Sequence, residues 1–305
     1  MDNYEILLKQ TNQYIQSYIY DKIKNKKFLE ICKHALNGGK RLRPILCVAT
    51  AQTILKSQKN KDICMDIVWN YAIGIEIIHN CSLIIDDMPC MDDDKIRRDK
   101  KTIWYKYGKT VAQLLVSYLC KEAFMLLTKN LDNSKESLKL SSIILNNLGI
   151  SGVVAGQYID TRSSTLFKEL HLFGSVNRED TDIAKLKELL RLKTTTLFEI
   201  SIISGYILCN KNTKDISIIQ KAINHFGLLF QISDDFEDLE QDNNKQTETV
   251  FIPNMVRLIG KDKAYEIFMN SKYEWEKNVN YLEINNIVYK EIINYLIRRV
   301  QKYKI

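Results

Sequence analysis

Apolar residues recur at helical spacing along almost the whole chain. Near the start Ile15, Ile19 and Ile23 follow one another at four-residue steps, which places them on one helical face. The same period predicts helices over residues 44–55, 63–86, 111–127, 138–159, 183–208, 216–239, 265–279 and 287–303. Polar runs at 130–137, over part of 160–181 and at 241–249 break the pattern and read as loops. The most apolar stretch, 63–85, carries Asp66, Asn70, Glu76, His79 and Asn80, which makes it a poor membrane span and a good buried helix with work to do.

Composition agrees with the periodicity. Only 3 Pro and 11 Gly occur in 305 residues, so long helices are easily sustained and tight hairpins are few. An all-α fold is expected. No Pro/Ser/Gly-rich linker and no fixed-period repeat divides the chain, so residues 1–305 read as a single domain. A content of 45% hydrophobic and 27% charged residues is that of a globular protein, with no transmembrane segment expected. The start, MDNYEILLKQ, has neither signal-peptide nor transit-peptide character, and the expected location is the cytoplasm. Seven Cys without a C-x-x-C pair point to reduced packing residues. The formal charge of +7 suits an anionic partner: nucleic acid, an acidic membrane surface or a phosphorylated small molecule.

Two acidic clusters carry the chemistry. In IIDDMPCMDDDKIRR, Asp86 and Asp87 close an apolar helix, and Pro89 forces the chain out of helical geometry so that Asp92 can swing back towards Asp86. Far downstream, in FQISDDFEDLEQD, Asp234 and Asp238 share one helical face with Asp235 beside them. Such clusters repel if they meet without a cation, and Mg²⁺ removes the objection, because it takes carboxylates and completes its shell with water and phosphates. Phosphate-binding types accompany the acids. Gly38 and Gly39 let backbone approach a ligand just before Lys40 and Arg43, which can grip a diphosphate as point charge and planar fork, with a helix starting at Pro44. Arg97 and Arg98 add a second cationic pair, and Lys193, Thr194 and Gln231 interrupt apolar helices. His79 stands two turns before Asp86 on nearly the same face, a placement that favours function over a core role.

From about residue 37 to 253 these motifs, in order and spacing, resemble the trans-polyprenyl diphosphate synthases of the short-chain, geranylgeranyl type. The resemblance implies an all-α helical bundle around a deep central cavity, the isoprenoid synthase fold, as a homodimer. It implies that Lys40, Arg43, His79 and Arg98 hold isopentenyl diphosphate, and that Arg97, Lys193 and Thr194 hold the allylic diphosphate, with Gln231 in the second motif. It also implies that Asp86, Asp92, Asp234 and Asp238 bind Mg²⁺, three ions in all, and that Asp86, Asp87, Asp92, Asp234, Asp235 and Lys193 form the catalytic set. GVVAGQYID follows the family's pattern without an assigned chemistry. The chain departs from that pattern in three places. RRDKKT stands for RRGKPT, Val116-Ser117 for a Gly-Asp pair, and QDNNKQTETVF for a longer loop, where Lys245 is a candidate for the missing phosphate-binding lysine.

Product length follows from helix geometry. Ser82 and Cys81 precede Asp86 by four and five residues and are expected to face the space beneath the metals; both are small. A helical turn of about 5.4 Å is roughly one isoprene unit, so an aromatic here would stop growth early. The expected product is geranylgeranyl diphosphate, with farnesyl diphosphate, or a weakly active regulatory subunit, as the alternatives. A terpene cyclase or head-to-head synthase would not need the Lys40–Arg43–His79 site. A nucleic-acid-binding role rests on charge alone, and none is expected.

Overall fold

The helical periodicity is realised in a computed structural model that describes residues 2–57, 65–130, 132–160, 182–210, 213–245 and 253–304. The chain begins with α1 (Asp2–Ile15, prolonged by a π-turn, Gln16–Tyr20), α2 (Lys26–Leu36), α3 (Leu42–Ser57) and α4 (Met65–Asp86). A minimal antiparallel hairpin, β1 (Ile96–Arg97) with β2 (Lys100–Lys101), leads into α5 (Ile103–Tyr107), α6 (Lys109–Thr128), α7 (Lys135–Leu148) and α8 (Val153–Ile159). The rest comprises α9 (Asp182–Leu190), a π-turn (Arg191–Thr195), α10 (Thr196–Asn210), α11 (Ile216–Lys245), α12 (Met255–Ile259), α13 (Lys261–Tyr281) and α14 (Ile287–Lys304).

Helices α4 and α10 bury apolar residues on several sides, as helices enclosed by others do. Val68, Ala72, Ile75 and Ile77 of α4 and Phe198, Ile202, Ile203 and Ile207 of α10 are all at most 2% exposed. Helix α3 packs on both, α6 covers α4, and α11 closes the other side with α13 and α14. An aromatic chain ties that side together: Phe198 and Phe226 meet edge-on at 5.1 Å, Phe226 and Trp275 at 5.0 Å, and Trp275 and Tyr289 at 5.2 Å. The result is an all-α bundle around a central cavity.

The element boundaries differ from the periodicity in several places: Ile23 lies outside the helix that carries Ile15 and Ile19, and α7 begins at Lys135, inside the expected 130–137 loop. Helix α3 starts at Leu42 rather than at Pro44, which sits in the first turn where its missing N–H costs nothing. The single helix expected over 138–159 is broken at Gly149 and Gly152 into α7 and α8, with Ser134 capping α7 through the Ser137 N–H at 3.2 Å. The helix expected over 183–208 contains the π-turn at Arg191–Thr195. Finally, α11 runs on to Lys245 through part of the expected loop; the Asn254 amide fastens it by donating to Asp242 Oδ2 at 2.8 Å. Residues 161–181 and 246–252, and the side chain of Lys245, lie outside the described residues.

Among the described residues four stretches qualify by length and composition alone to cross a membrane, so hydropathy does not by itself support the expectation of none. In two of them, Met65–Asp86 and Asp182–Cys209, the qualifying 18-residue window is 67% and 83% buried inside the protein, so its apolar surface is largely consumed by helix packing. In Lys109–Thr128 and Lys135–Ile159 the corresponding windows are only 39% and 33% buried and leave an apolar face outward.

Candidate active site

Helix α4 ends at Asp86 because Pro89 follows too soon for another turn. The chain then doubles back, with Met91 N–H donating to Met88 O at 2.8 Å and Asp92 N–H donating to Asp86 O at 2.9 Å, which puts Asp92 beside Asp86. Burial pushes the Asp86 carboxyl up to about 6; Lys193 and Arg97 oppose the shift and Asp92 and Asp160 add to it. Asp86 Oδ1 is buried and has no hydrogen-bond partner. Asp87, one residue on, points elsewhere: it is 4% exposed and accepts from Arg97 Nε at 2.5 Å.

The second cluster divides in the same way. Asp234 lines the central cavity and is paired with Arg299 of α14, whereas Asp235 is 3% exposed and turned into the wall. Asp235 accepts from Gln231 Nε2 at 2.9 Å and from the Met255 N–H at 2.7 Å, and burial raises its carboxyl to about 7. Gln231 in turn accepts from Thr194 Oγ1 at 3.2 Å, so Thr194, Gln231, Asp235 and Met255 form one polar chain. Asp238, one turn past Asp234, is exposed. Within each Asp-Asp pair, then, only the first residue faces the cavity.

That cavity has a volume of about 1120 Å³. Of the residues expected to bind substrate, Lys40, Arg43, His79, Arg97, Arg98, Lys193, Thr194 and Gln231 all line it, together with Asp86, Asp234 and Ser82. The π-turn presents Lys193 and Thr194, and Gly156 of α8 allows that turn to pack closely: a Cβ there would lie 2.4 Å from Lys193 N. Lys193 Nζ is ion-paired with Asp160, and Asp160, Asp86 and Asp92 together outweigh burial and hold its ammonium above the usual range.

A cationic wall faces the second cluster. Arg43 stacks its guanidinium 4.8 Å over the Phe198 ring, and its Nε is buried without a partner. Burial lowers Arg43 to about 10, which leaves it charged. His79 is different: burial first, then Arg43, Arg98, Arg41 and Arg97, hold its imidazole well below its ordinary pKa, so it is neutral. Its Nδ1 is a further buried atom without a partner. A neutral imidazole can offer a neighbouring group an N–H but no charge.

The hairpin supplies Arg97 and Arg98. Its two-residue turn needs positive φ at both positions, and Arg98 (φ 51°) and Asp99 (φ 60°) adopt it. Aspartate enters the left-handed region more readily than most side chains, which is how Asp99 replaces glycine here. Arg98 Nη1 donates to Gly38 O at 3.1 Å, and a Cβ on Gly39 (φ 95°) would lie 2.6 Å from the same guanidinium nitrogen. Gly39 thus makes room for Arg98, while Gly38, at φ 86°, supplies the carbonyl that accepts from it.

Of the two residues expected to limit chain length, Ser82 lines the cavity and donates to His79 O at 2.9 Å. Cys81 is 3% exposed and faces α6, with its thiol 3.9 Å from Val116 O, so the expectation that it too faces the cavity is corrected. A step of one residue turns a side chain by about 100° around the helix, enough to move it from cavity to helix interface.

Three groups escaped the sequence reading. Arg41, inside GGKRLRP, is 3% exposed and binds Glu76 of α4 rather than a ligand. A lone acid within an apolar helix was a usable signal, since buried carboxylates are almost always paired. Asp160 and Arg299 hold Lys193 and Asp234, but their partners lie 33 and 65 residues away, beyond any local pattern.

Among the described residues no three His, Cys, Asp or Glu side chains gather closely enough to cage an ion. The donor set still fits Mg²⁺, which uses one or two carboxylates with water and phosphate for the remainder. The unpartnered buried oxygen of Asp86 is the observation in its favour.

The polyprenyl synthetase family profile matches residues 25–250. Farnesyl diphosphate synthase of Bacillus subtilis is 33% identical over 213 residues, 68% of this chain and 64% of that protein. Geranylgeranyl pyrophosphate synthase 4 of Arabidopsis thaliana is 32% identical over 229 residues, 75% of this chain and 55% of that protein. The chain therefore matches less than two thirds of the length of these two relatives. A crystal structure of geranyltransferase from Legionella pneumophila shares the fold, with a TM-score of 0.76 at 23% identity over 100% of this chain and 98% of that one. An all-helical cavity with paired acidic clusters defines the isoprenoid synthase class. Within it, this chain belongs to the polyprenyl synthetase family.

Proposed function

We propose that the protein is a trans-prenyltransferase that joins isopentenyl diphosphate to an allylic diphosphate and releases a linear product, geranylgeranyl diphosphate. The observation that carries this reading is the lining of one cavity by Asp86 and Asp234 with Lys40, Arg43, Arg98 and Lys193, where Arg43 Nε and His79 Nδ1 are buried without partners. Orphaned donors in a cationic wall suit a diphosphate.

Asp86, Asp92, Asp234 and Asp238 would hold three Mg²⁺ ions. Bound there, Mg²⁺ would supply positive charge to the departing diphosphate. Lys193 and Arg97 add to that charge on the allylic side, while Lys40, Arg43 and Arg98 grip the diphosphate of isopentenyl diphosphate and neutral His79 donates an N–H to it. The allylic carbocation forms against the apolar wall of Leu83, Leu197 and Phe230, which excludes water. The isopentenyl double bond attacks it, and the proton lost on closing the new double bond passes to the released diphosphate.

The product is the finer part of the proposal. Small Ser82 on the cavity wall favours geranylgeranyl diphosphate. The two relatives, one a farnesyl and one a geranylgeranyl synthase, make farnesyl diphosphate the second reading. A single-domain homodimer is proposed through the outward face of α6 to α8, where Leu114, Met125, Leu138, Leu145 and Ile150 are 57–70% exposed. Free Cys32, Cys47, Cys81, Cys90, Cys120 and Cys209 suit a reducing compartment, and the cytoplasm is proposed.

Purified protein incubated with Mg²⁺, isopentenyl diphosphate and each allylic primer should yield prenyl alcohols after dephosphorylation, and EDTA should abolish them. Asp86→Asn and Asp234→Asn should each lower turnover at least roughly a hundredfold. Full turnover in both variants would sink the assignment, and inactivity of the wild-type chain alone would leave the regulatory-subunit reading in its place.

A further inference from the structure

Arg299 stands near the end of α14, 65 residues beyond Asp234 in sequence, yet it closes on two carboxylates one turn apart on α11. Nη1 donates to Asp234 and Nη2 pairs with Glu237. The Arg299 side chain is 11% exposed, and its Nε is buried without a partner. Tyr303, one turn on, donates to Glu237 Oε1 at 3.4 Å and fastens the same helix end a second time. Beside the buried Ile292, Leu296 and Val300, the polar ties between the end of α14 and α11 thus run through these two carboxylates, of which Asp234 lines the cavity.

A guanidinium in contact with a carboxylate repels any further cation that approaches the same oxygens, so Arg299 and a divalent ion compete for Asp234. We propose that Arg299 is the resident counter-cation of the second acidic cluster, clamping Asp234 and Glu237 until a divalent ion takes Asp234, whereupon the end of α14 is released. The proposal rests on the metal-binding reading of Asp234 and Asp238. The clamp keeps two neighbouring carboxylates compatible before the ion arrives, and it makes ion binding and the position of the last helix two sides of one equilibrium. Ion affinity is then reduced by the fraction of molecules in which Arg299 still holds Asp234.

The test is Mn²⁺ binding in the presence of inorganic pyrophosphate, followed by calorimetry and by the electron paramagnetic resonance of free Mn²⁺. Arg299→Gln should bind Mn²⁺ roughly three- to thirtyfold tighter than wild type, with Arg299→Lys in between. The wild-type protein, which needs no variant to fold, should show faster hydrogen exchange of the amides of residues 296–304 once Mn²⁺ and pyrophosphate are added. Unchanged or weaker Mn²⁺ binding by folded Arg299→Gln overturns the clamp, as does unchanged protection of residues 296–304 in the saturated wild type. Absence of Mn²⁺ binding by wild type and variant alike takes down the metal reading, and the clamp with it.

Discussion

Arg41 and Glu76 form an ion pair 2.8 Å apart, with side chains only 1% and 2% exposed. Arg41 also donates through Nε to Asn12 Oδ1 at 3.1 Å and through Nη2 to Leu36 O, so one guanidinium joins α1, α2 and α4. Asn80 donates to the same Glu76 oxygen at 3.2 Å. Removing one partner leaves the other charge buried and alone. Glu76→Gln should lower stability by about 3–5 kcal/mol, and Arg41→Met/Glu76→Leu should lower it by clearly less. Denaturant unfolding of the two variants checks this; equal losses would mean that a stranded buried charge is not what makes Glu76→Gln costly.

Gly39→Ala should impair isopentenyl diphosphate binding without unfolding the protein. A Cβ would press on the Arg98 guanidinium and strain a backbone at φ 95°, in a loop that is not part of the core. The expected outcome is a KM for isopentenyl diphosphate raised roughly tenfold or more, with unchanged circular dichroism. An unaltered KM would separate Arg98 from substrate binding.

Ser82→Phe should shorten the product more strongly than Cys81→Tyr. Ser82 lines the cavity, whereas Cys81 lies against Val116 of α6, where a larger side chain first disturbs helix packing. Chromatography of the dephosphorylated alcohols distinguishes a shortened chain from simple loss of activity. A shorter product from Cys81→Tyr with none from Ser82→Phe would reverse the placement of the cavity floor.

Asp235 makes stability depend on pH. Burial first, then Asp234 and Asp242, raise its carboxyl to about 7 against the hydrogen bonds from Gln231 and the Met255 N–H. Because the folded pKa exceeds the unfolded one, Asp235 contributes most below about pH 4, and that contribution is lost as pH rises to about 7. Asp235→Asn cannot ionise. Its stability relative to wild type should therefore increase from pH 4 to pH 8, by at most about 4 kcal/mol, in melts run with EDTA. A constant difference across that range would mean that Asp235 is ionised throughout.

The helices were legible because their signal is local. Apolar spacing, Pro89 after Asp86 and the Gly38-Gly39-Lys40-Arg41-Leu42-Arg43-Pro44 run each act within a few residues, and they located α4, α10, α11 and most of the cavity wall. What stayed hidden was rotation. Adjacent residues in Asp86-Asp87, Asp234-Asp235 and Cys81-Ser82 have nearly identical sequence context, yet in each pair one faces the cavity and its neighbour faces protein.

The sequence by itself determined the helical content and the chemical kinds gathered at the site: acids, cations, small residues and one histidine. The tertiary structure decided which of them are available and in what state. It commits Arg41 to Glu76, Lys193 to Asp160 and Asp234 to Arg299, and through burial first, then four nearby guanidinium groups, it holds the His79 imidazole well below its ordinary pKa. The reason is that charge pairing and desolvation depend on groups brought together across tens to hundreds of residues, whereas helix formation depends on neighbours a turn away.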